Sequence, residues 1–290
     1  MKVGILGTGL MGAPMALQLQ KAGFEVTAWN RSPEKLQSLK QAGITTVTRA
    51  ADVIAACDLT ITMLSDAAAI QAAVFAQPAV LQDRTLLQMG TIAPGESRDL
   101  SQLVQAAGGA YLESPVLGSI PQVKSGSLIL MVGATPEQYE QWRPVLQCFG
   151  PEPQLMGPVG TAAATKLAMN QLIGTLTAAF SMSLALVQRE GLDLQKFMGI
   201  VQGSALYAPT FDKKLDRMCD RNFTHPNFPT KHLLKDMNLF VKAAQGQGID
   251  ATVAEGVSQL VEKTLAQGLA DADYSAIYNT INPEEPLTGT

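Results

Sequence analysis

The chain is short of charge. Asp, Glu, Lys and Arg make up only 16% of its 290 residues, against 47% hydrophobic ones, so much of it must be buried, some of it against another subunit. Basic residues are not in excess. The net charge of −4 lacks the electrostatic footprint that a nucleic-acid partner requires. Cysteine is scarce: Cys57, Cys148 and Cys219 are odd in number and far apart. That pattern argues against a disulfide framework and for reduced thiols in a cytoplasmic protein. Of the two histidines, His225 and His232, neither stands in a Ser-His-Asp spacing, and no ligand cluster has metal-site spacing. No signal or transit segment is expected, because the chain opens directly on a strand-like run. Charge also disappears locally, over residues 167–188, a length that could cross a bilayer. Asn170, Gln171, Thr175, Thr177, Ser181, Ser183 and Gln188 are too polar for lipid, so a helix buried between domains or subunits is expected.

What is present begins at once. An apolar run leads into Gly7-Thr8-Gly9-Leu10-Met11-Gly12, with a helix-like stretch behind it. In G-x-G-x-x-G, Gly7 permits the tight turn, Gly9 lets backbone approach a pyrophosphate, and Gly12 lets the helix pack on the sheet. The N–H groups and dipole of that helix then hold the phosphates. Strand-like runs at 2–6, 25–29, 59–64, 85–89, 110–112 and 128–132 alternate with helical text that stops at Ala22-Gly23 and Ala42-Gly43. This predicts an α/β fold, a doubly wound parallel (Rossmann) sheet. Ser32-Pro33 and Thr135-Pro136 read as helix N-caps followed by the first helical residue.

Past residues 150–160, which hold one short strand at 154–156, strand signals stop. Helices are expected at about 161–190, 193–203, 209–218, 229–248, 250–268 and 273–278. The expected organisation is a dinucleotide domain over 1–160 and an all-helical substrate and oligomerisation domain over 161–290, joined through one long helix.

The second strand ends Trp29-Asn30-Arg31-Ser32, without the carboxylate that accepts from an NAD ribose. Arg31 would instead pair with a 2′-phosphate, and Lys35, in the first turn of the next helix, gains from an anion there. NADP is therefore the expected cofactor. Lys166 and Asn170 lie four apart on the long apolar helix, hence on one face. A desolvated ammonium can supply the proton that a carbonyl oxygen needs as its carbon takes a hydride.

Four motifs give these residues a context: Gly7-x-Gly9-x-Met11-Gly12-x-Pro14-Met15-Ala16, Glu113-Ser114-Pro115-Val116-Leu117-Gly118-Ser119, Gly157-x-x-Gly160 running on to Lys166 and Asn170, and Lys231-His232-Leu233-Leu234-Lys235-Asp236-Met237-Asn238-Leu239. Over nearly its whole length the chain resembles β-hydroxyacid dehydrogenases of the 3-hydroxyisobutyrate dehydrogenase family. Asn30-Arg31-Ser32, Gly118-Ser119 and Phe228-Pro229-Thr230-Lys231-His232 look most like its glyoxylate and succinic semialdehyde reductase branch.

The resemblance implies NADPH-dependent reduction of a small aldehyde acid, with Lys166 as proton donor and Asn170 assisting it. It implies substrate binding by Gly118, Ser119 and Lys231. Cofactor contacts would come from Gly7, Gly9, Leu10, Met11, Gly12, Asn30, Arg31, Ser32, Lys35, Met63, Leu64, Thr91 and Lys235, with Asp236 fixing Lys235. A homodimer or homotetramer is expected. Leu117 departs from the family, where most relatives carry serine. An NAD-dependent 3-hydroxyisobutyrate or tartronate semialdehyde enzyme, an imine reductase and a non-catalytic NADP-binding module are the alternatives.

Overall fold

A computed structural model describes residues 1–284. The chain divides into two compact units, Met1–Leu167 and Ala168–Thr290. Residues 285–290 of the expected helical domain lie outside the described residues.

The first unit opens β1 (Lys2–Leu6), α1 (Gly12–Lys21), β2 (Glu25–Trp29), α2 (Gln37–Gln41), β3 (Thr45–Thr46), α3 (Ala50–Ala56) and β4 (Leu59–Thr62). It continues α4 (Ala67–Val74), β5 (Thr85–Gln88), α5 (Pro94–Ala106), β6 (Ala110–Glu113), β7 (Val116–Leu117) and α6 (Ile120–Ser125). Next come β8 (Ile129–Gly133), α7 (Pro136–Leu146), β9 (Gln154–Gly157) and the start of the long helix α8 (Thr161–Arg189). The strands lie in the order β3-β2-β1-β4-β5-β6-β8-β7, with β9 on β8.

From β3 to β6 every ladder is parallel. The expected parallel sheet ends there, because β8 runs antiparallel to β6 and β7 antiparallel to β8. Length explains the change. Six-residue α6 rises about 9 Å, against about 16 Å for a five-residue strand, so it cannot carry the chain back along a strand. β3 and β7, two residues each, are too short to leave a periodic signal.

Helices cover both faces of this sheet. Leu87 and Leu112 join one core cluster with Met15, Leu19 and Trp142, while their neighbours Leu86 and Tyr111 join the other with Ile54, Ile70 and Leu100. A strand buried on both faces reads as a continuous apolar run, which is why the central strands were legible.

Second-unit helices beyond α8 are α9 (Leu194–Gln202), α10 (Pro209–Cys219), α11 (Thr230–Gln245), α12 (Thr252–Ala266) and α13 (Ile277–Ile281). Leu233, Met237, Val257, Val261 and Ile277 form one cluster, and Phe180, Leu184, Met198, Phe211 and Met218 another. In the latter, Phe180 and Phe211 stack with centroids 4.6 Å apart. By length and composition α8 alone among the described helices could cross a membrane, but its Ala178, Phe180 and Leu184 are core residues of this unit.

One ion pair sits inside the second unit. Asp273 is fully buried and accepts from Lys214 Nζ at 2.7 and 3.0 Å and from the Ser275 hydroxyl at 2.7 Å. Burial holds the Lys214 ammonium below its ordinary range, although Asp273 pulls it up. Removing one partner strands the other charge away from water. Lys214→Ala is expected to cost about 3–5 kcal/mol in urea unfolding, the usual penalty for a broken buried pair. A loss under about 1 kcal/mol would mean that the pair is solvated.

Candidate active site

The glycine loop stands at the carboxyl end of β1, beside β4, where the strand order reverses and open α/β sheets bind ligands. Gly7 has φ +100°, and a Cβ on it would lie 2.3 Å from Met63 O. On Gly12 a Cβ would lie 1.9 Å from Gly7 O, so backbone meets backbone and α1 starts directly over the sheet edge. Gly9 differs, having nothing within 4 Å of where its Cβ would be. That open approach beside a helix N-terminus fits a dinucleotide pyrophosphate.

The neighbouring loops stack along the same edge. Met63 N–H donates to Leu6 O at 2.9 Å, Met89 N–H to Thr62 O at 3.0 Å, and Ser114 N–H to Gln88 O at 2.7 Å. Met63, Leu64 and Thr91 thus fall in register with the glycine loop. Buried Gln88, not anticipated from sequence, folds its amide onto Gly90, donating to the Gly90 carbonyl at 3.0 Å and accepting from its N–H. The turn carrying Thr91 is fixed by that side chain.

At the end of β2, Asn30 accepts from Thr8 N–H at 3.0 Å and donates to Ser32 O at 3.0 Å. Its amide braces the glycine loop. The expected Ser32 cap is corrected: Pro33–Leu36 is a 3-10 turn, and Ser32 makes no side-chain cap bond. Its carbonyl is held instead by Asn30 and by Lys35 N–H at 3.2 Å. Arg31 and Lys35 are exposed, without an ion-pair partner among the described residues. Thr135 does cap α7, accepting from Gln138 N–H at 3.2 Å.

Between β7 and α6, Ser119 donates to Gln122 Oε1 from its N–H at 2.9 Å and from its hydroxyl at 2.8 Å. Both donors of Ser119, one of the residues expected to bind substrate, are therefore occupied by Gln122. Leu117 pairs with Ile129 in the β7–β8 ladder, and Gly118 is exposed.

Glu113, the last residue of β6, is fully buried. Its Oε1 accepts from Gly160 N–H at 2.8 Å and Ala163 N–H at 3.0 Å, and Oε2 accepts from the Ser97 hydroxyl. Burial pushes its carboxyl above the usual range, and these donors pull it back. Lys166 follows in the second turn of α8, half-buried, and Asn170 one turn later.

Asn170 is buried in the second unit and donates to Asp236 Oδ2 at 2.6 Å. A carboxylate only accepts, so the amide must present nitrogen to it. Asn170 Oδ1 is left buried without a hydrogen-bond partner. Asp236 also pairs with Lys235, Nζ to Oδ1 3.0 Å, outside hydrogen-bond geometry. The expected link of Asp236 to Lys235 is present, while its hydrogen bond to Asn170 was not anticipated from sequence. The clue was its place on the buried face of α11 with Leu233 and Met237.

Lys231 is half-exposed and pairs with Asp271 at 2.5 Å, a surface contact that a ligand can displace. Burial, with Lys235 beside it, lowers the His232 imidazole below its ordinary range. Among the described residues no group of metal-ligating side chains is found.

Residues 2–158 match a family model for the NAD binding domain of 6-phosphogluconate dehydrogenase. Residues 160–281 match one described as NAD-binding of NADP-dependent 3-hydroxyisobutyrate dehydrogenase. The chain is 32% identical over 285 residues to glyoxylate/succinic semialdehyde reductase 1 of Arabidopsis thaliana, covering 97% of this chain and 98% of that one. It belongs to the β-hydroxyacid dehydrogenase family.

This β-hydroxyacid dehydrogenase, an NAD(P)-dependent oxidoreductase acting on a small molecule, also shares its fold with the 3-hydroxyisobutyrate dehydrogenase of Mycobacterium tuberculosis. There the TM-score is 0.88 at 23% identity, covering 97% of this chain and 98% of that one. Human cytokine-like nuclear factor N-PAC is 29% identical over 281 residues, covering 96% of this chain and 51% of that protein.

Gly9→Ala separates fold from cofactor binding, because the added methyl meets nothing in the chain. Its melting temperature is expected within about 2 °C of wild type, while binding of the reduced nicotinamide dinucleotide, NADPH or NADH, by fluorescence titration weakens at least about tenfold, roughly 1.4 kcal/mol. Unchanged affinity would move the pyrophosphate away from this loop.

Proposed function

We propose that this β-hydroxyacid dehydrogenase reduces a small aldehyde acid, succinic semialdehyde or glyoxylate, with NADPH. The observation that carries the reading is Lys166 one helical turn before Asn170, whose Oδ1 is buried and unpartnered. A buried acceptor left open costs stability unless something completes it, and an ammonium or a substrate hydroxyl would do so.

When bound, the reduced nicotinamide supplies a hydride. As the carbonyl carbon is reduced, charge grows on its oxygen, and the Lys166 ammonium donates a proton to that oxygen. In the reverse direction the neutral amine takes the hydroxyl proton. Asn170, oriented by Asp236, accepts from the protonated partner. Gly118 and Ser119 hold the carboxylate by N–H donation once Gln122 withdraws.

NADPH is preferred to NADH because Arg31 and Lys35, which follow β2, are exposed cations without counter-ions among the described residues. A 2′-phosphate supplies the missing anion. Leu172, Met182 and Leu186 are 48%, 54% and 63% exposed along α8, which supports a homodimer or homotetramer.

Lys166→Ala tests the chemistry. Turnover of succinic semialdehyde is expected to fall about 10²–10⁴-fold, the usual scale for a lost general acid, with the circular dichroism spectrum unchanged. Full turnover in the folded variant would remove Lys166 from the mechanism. Arg31→Asp tests the cofactor: the NADPH-to-NADH ratio of kcat/KM should fall at least about tenfold, and an unchanged ratio rejects the NADP assignment.

A further inference from the structure

We infer that Glu113 is a positioning residue for Lys166, its carboxylate clamping the first turn of α8 to the end of β6. The inference rests on the reading of Lys166 as proton donor.

Glu113 is the last residue of β6, and Ser114 next to it begins the substrate loop. In-sheet pairing with Gln88 and Gly133 fixes its backbone. The carboxylate reaches the Gly160 and Ala163 N–H groups, which belong to the set that a helix start leaves without intrahelical partners. The helix dipole favours an anion at that point.

Two further contacts remove the remaining freedom. Ser97, on α5, donates its hydroxyl to Oε2 and lies 2.8 Å from the Tyr111 hydroxyl. On the opposite side, a Cβ on Gly133 would lie 2.5 Å from Glu113 Oε1, so β8 backbone closes the space into which the carboxylate could swing. Lys166 is three residues beyond Ala163, one turn up the same helix face. One residue therefore sets two things: where the substrate loop departs and where the lysine stands. Reaction geometry tolerates little error, and a shift near 1 Å can cost about 10²-fold.

Glu113→Gln keeps the shape and removes the charge. Hydrogen exchange at the Gly160 and Ala163 amides should speed up at least about tenfold as the cap weakens. With succinic semialdehyde and NADPH, kcat should fall at least about tenfold while KM for NADPH stays within about twofold, because the glycine loop is untouched. Ser97→Ala, which keeps the carboxylate, should move both readouts the same way by less, and it decides the matter if Glu113→Gln does not fold.

Faster exchange with kcat within about twofold of wild type would make Glu113 a helix cap only and overturn the inference. Fast turnover by Lys166→Ala would overturn both the donor reading and this inference. An inactive Lys166→Ala beside a fully active Glu113→Gln would overturn the inference alone.

Discussion

Backbone meets backbone at the carboxyl end of β1 at separations that no side chain tolerates. Cβ atoms on Gly7 and Gly12 would stand 2.3 and 1.9 Å from carbonyl oxygens. Because those atoms are absent, the start of α1 reaches the sheet edge, and the loops after β4, β5 and β6 fall into register beside it. The space left at Gly9 is the consequence that matters for function. It lets a dinucleotide phosphate approach the helix start, where unpaired N–H groups and the dipole both favour an anion. Cofactor chemistry in the first unit is built on that constraint.

The second helix start on this edge is solved the opposite way. At α1 the approach to the helix start is left open at Gly9, whereas at α8 a buried carboxylate from the chain itself takes the first N–H groups. A buried carboxyl needs its donors complete, and the amides, hydroxyl and dipole around Glu113 pull it back against the rise that burial imposes. One helix end is left available for binding, and the other is locked so that the residues further along it hold position. Asn170 repeats the logic in the second unit, where Asp236 fixes the amide nitrogen and leaves the oxygen available.

What the sequence revealed follows from how local each cause is. The glycine loop, the doubly buried strands and the long α8 are written in contiguous residues, so spacing and apolar runs suffice to find them. Glu113, Gln88 and Asp236 are not legible in that way. Their partners are remote in sequence or lie in a turn whose shape the residues do not announce, and each reads as a polar residue at the edge of an apolar run. Ser119-x-x-Gln122 is an intermediate case, because its capping-box spacing was a local signal that the pair would occupy each other. Ser32 shows the reverse failure: a good capping residue ahead of a proline whose hydroxyl makes no cap bond, so that a 3-10 turn stands where a capped helix was expected. The antiparallel β8 followed from the length of α6, a quantity that strand text does not carry.

The central claim is that a nicotinamide cradle and a helix-borne lysine together make a reductase of small aldehyde acids. Initial rates with succinic semialdehyde and glyoxylate, each with NADPH and with NADH, test it most directly. The account predicts oxidation of NADPH by at least one of these acids, with kcat/KM at least about tenfold above that with NADH. No turnover of either acid with either cofactor, by a folded protein that binds NADPH, would contradict it.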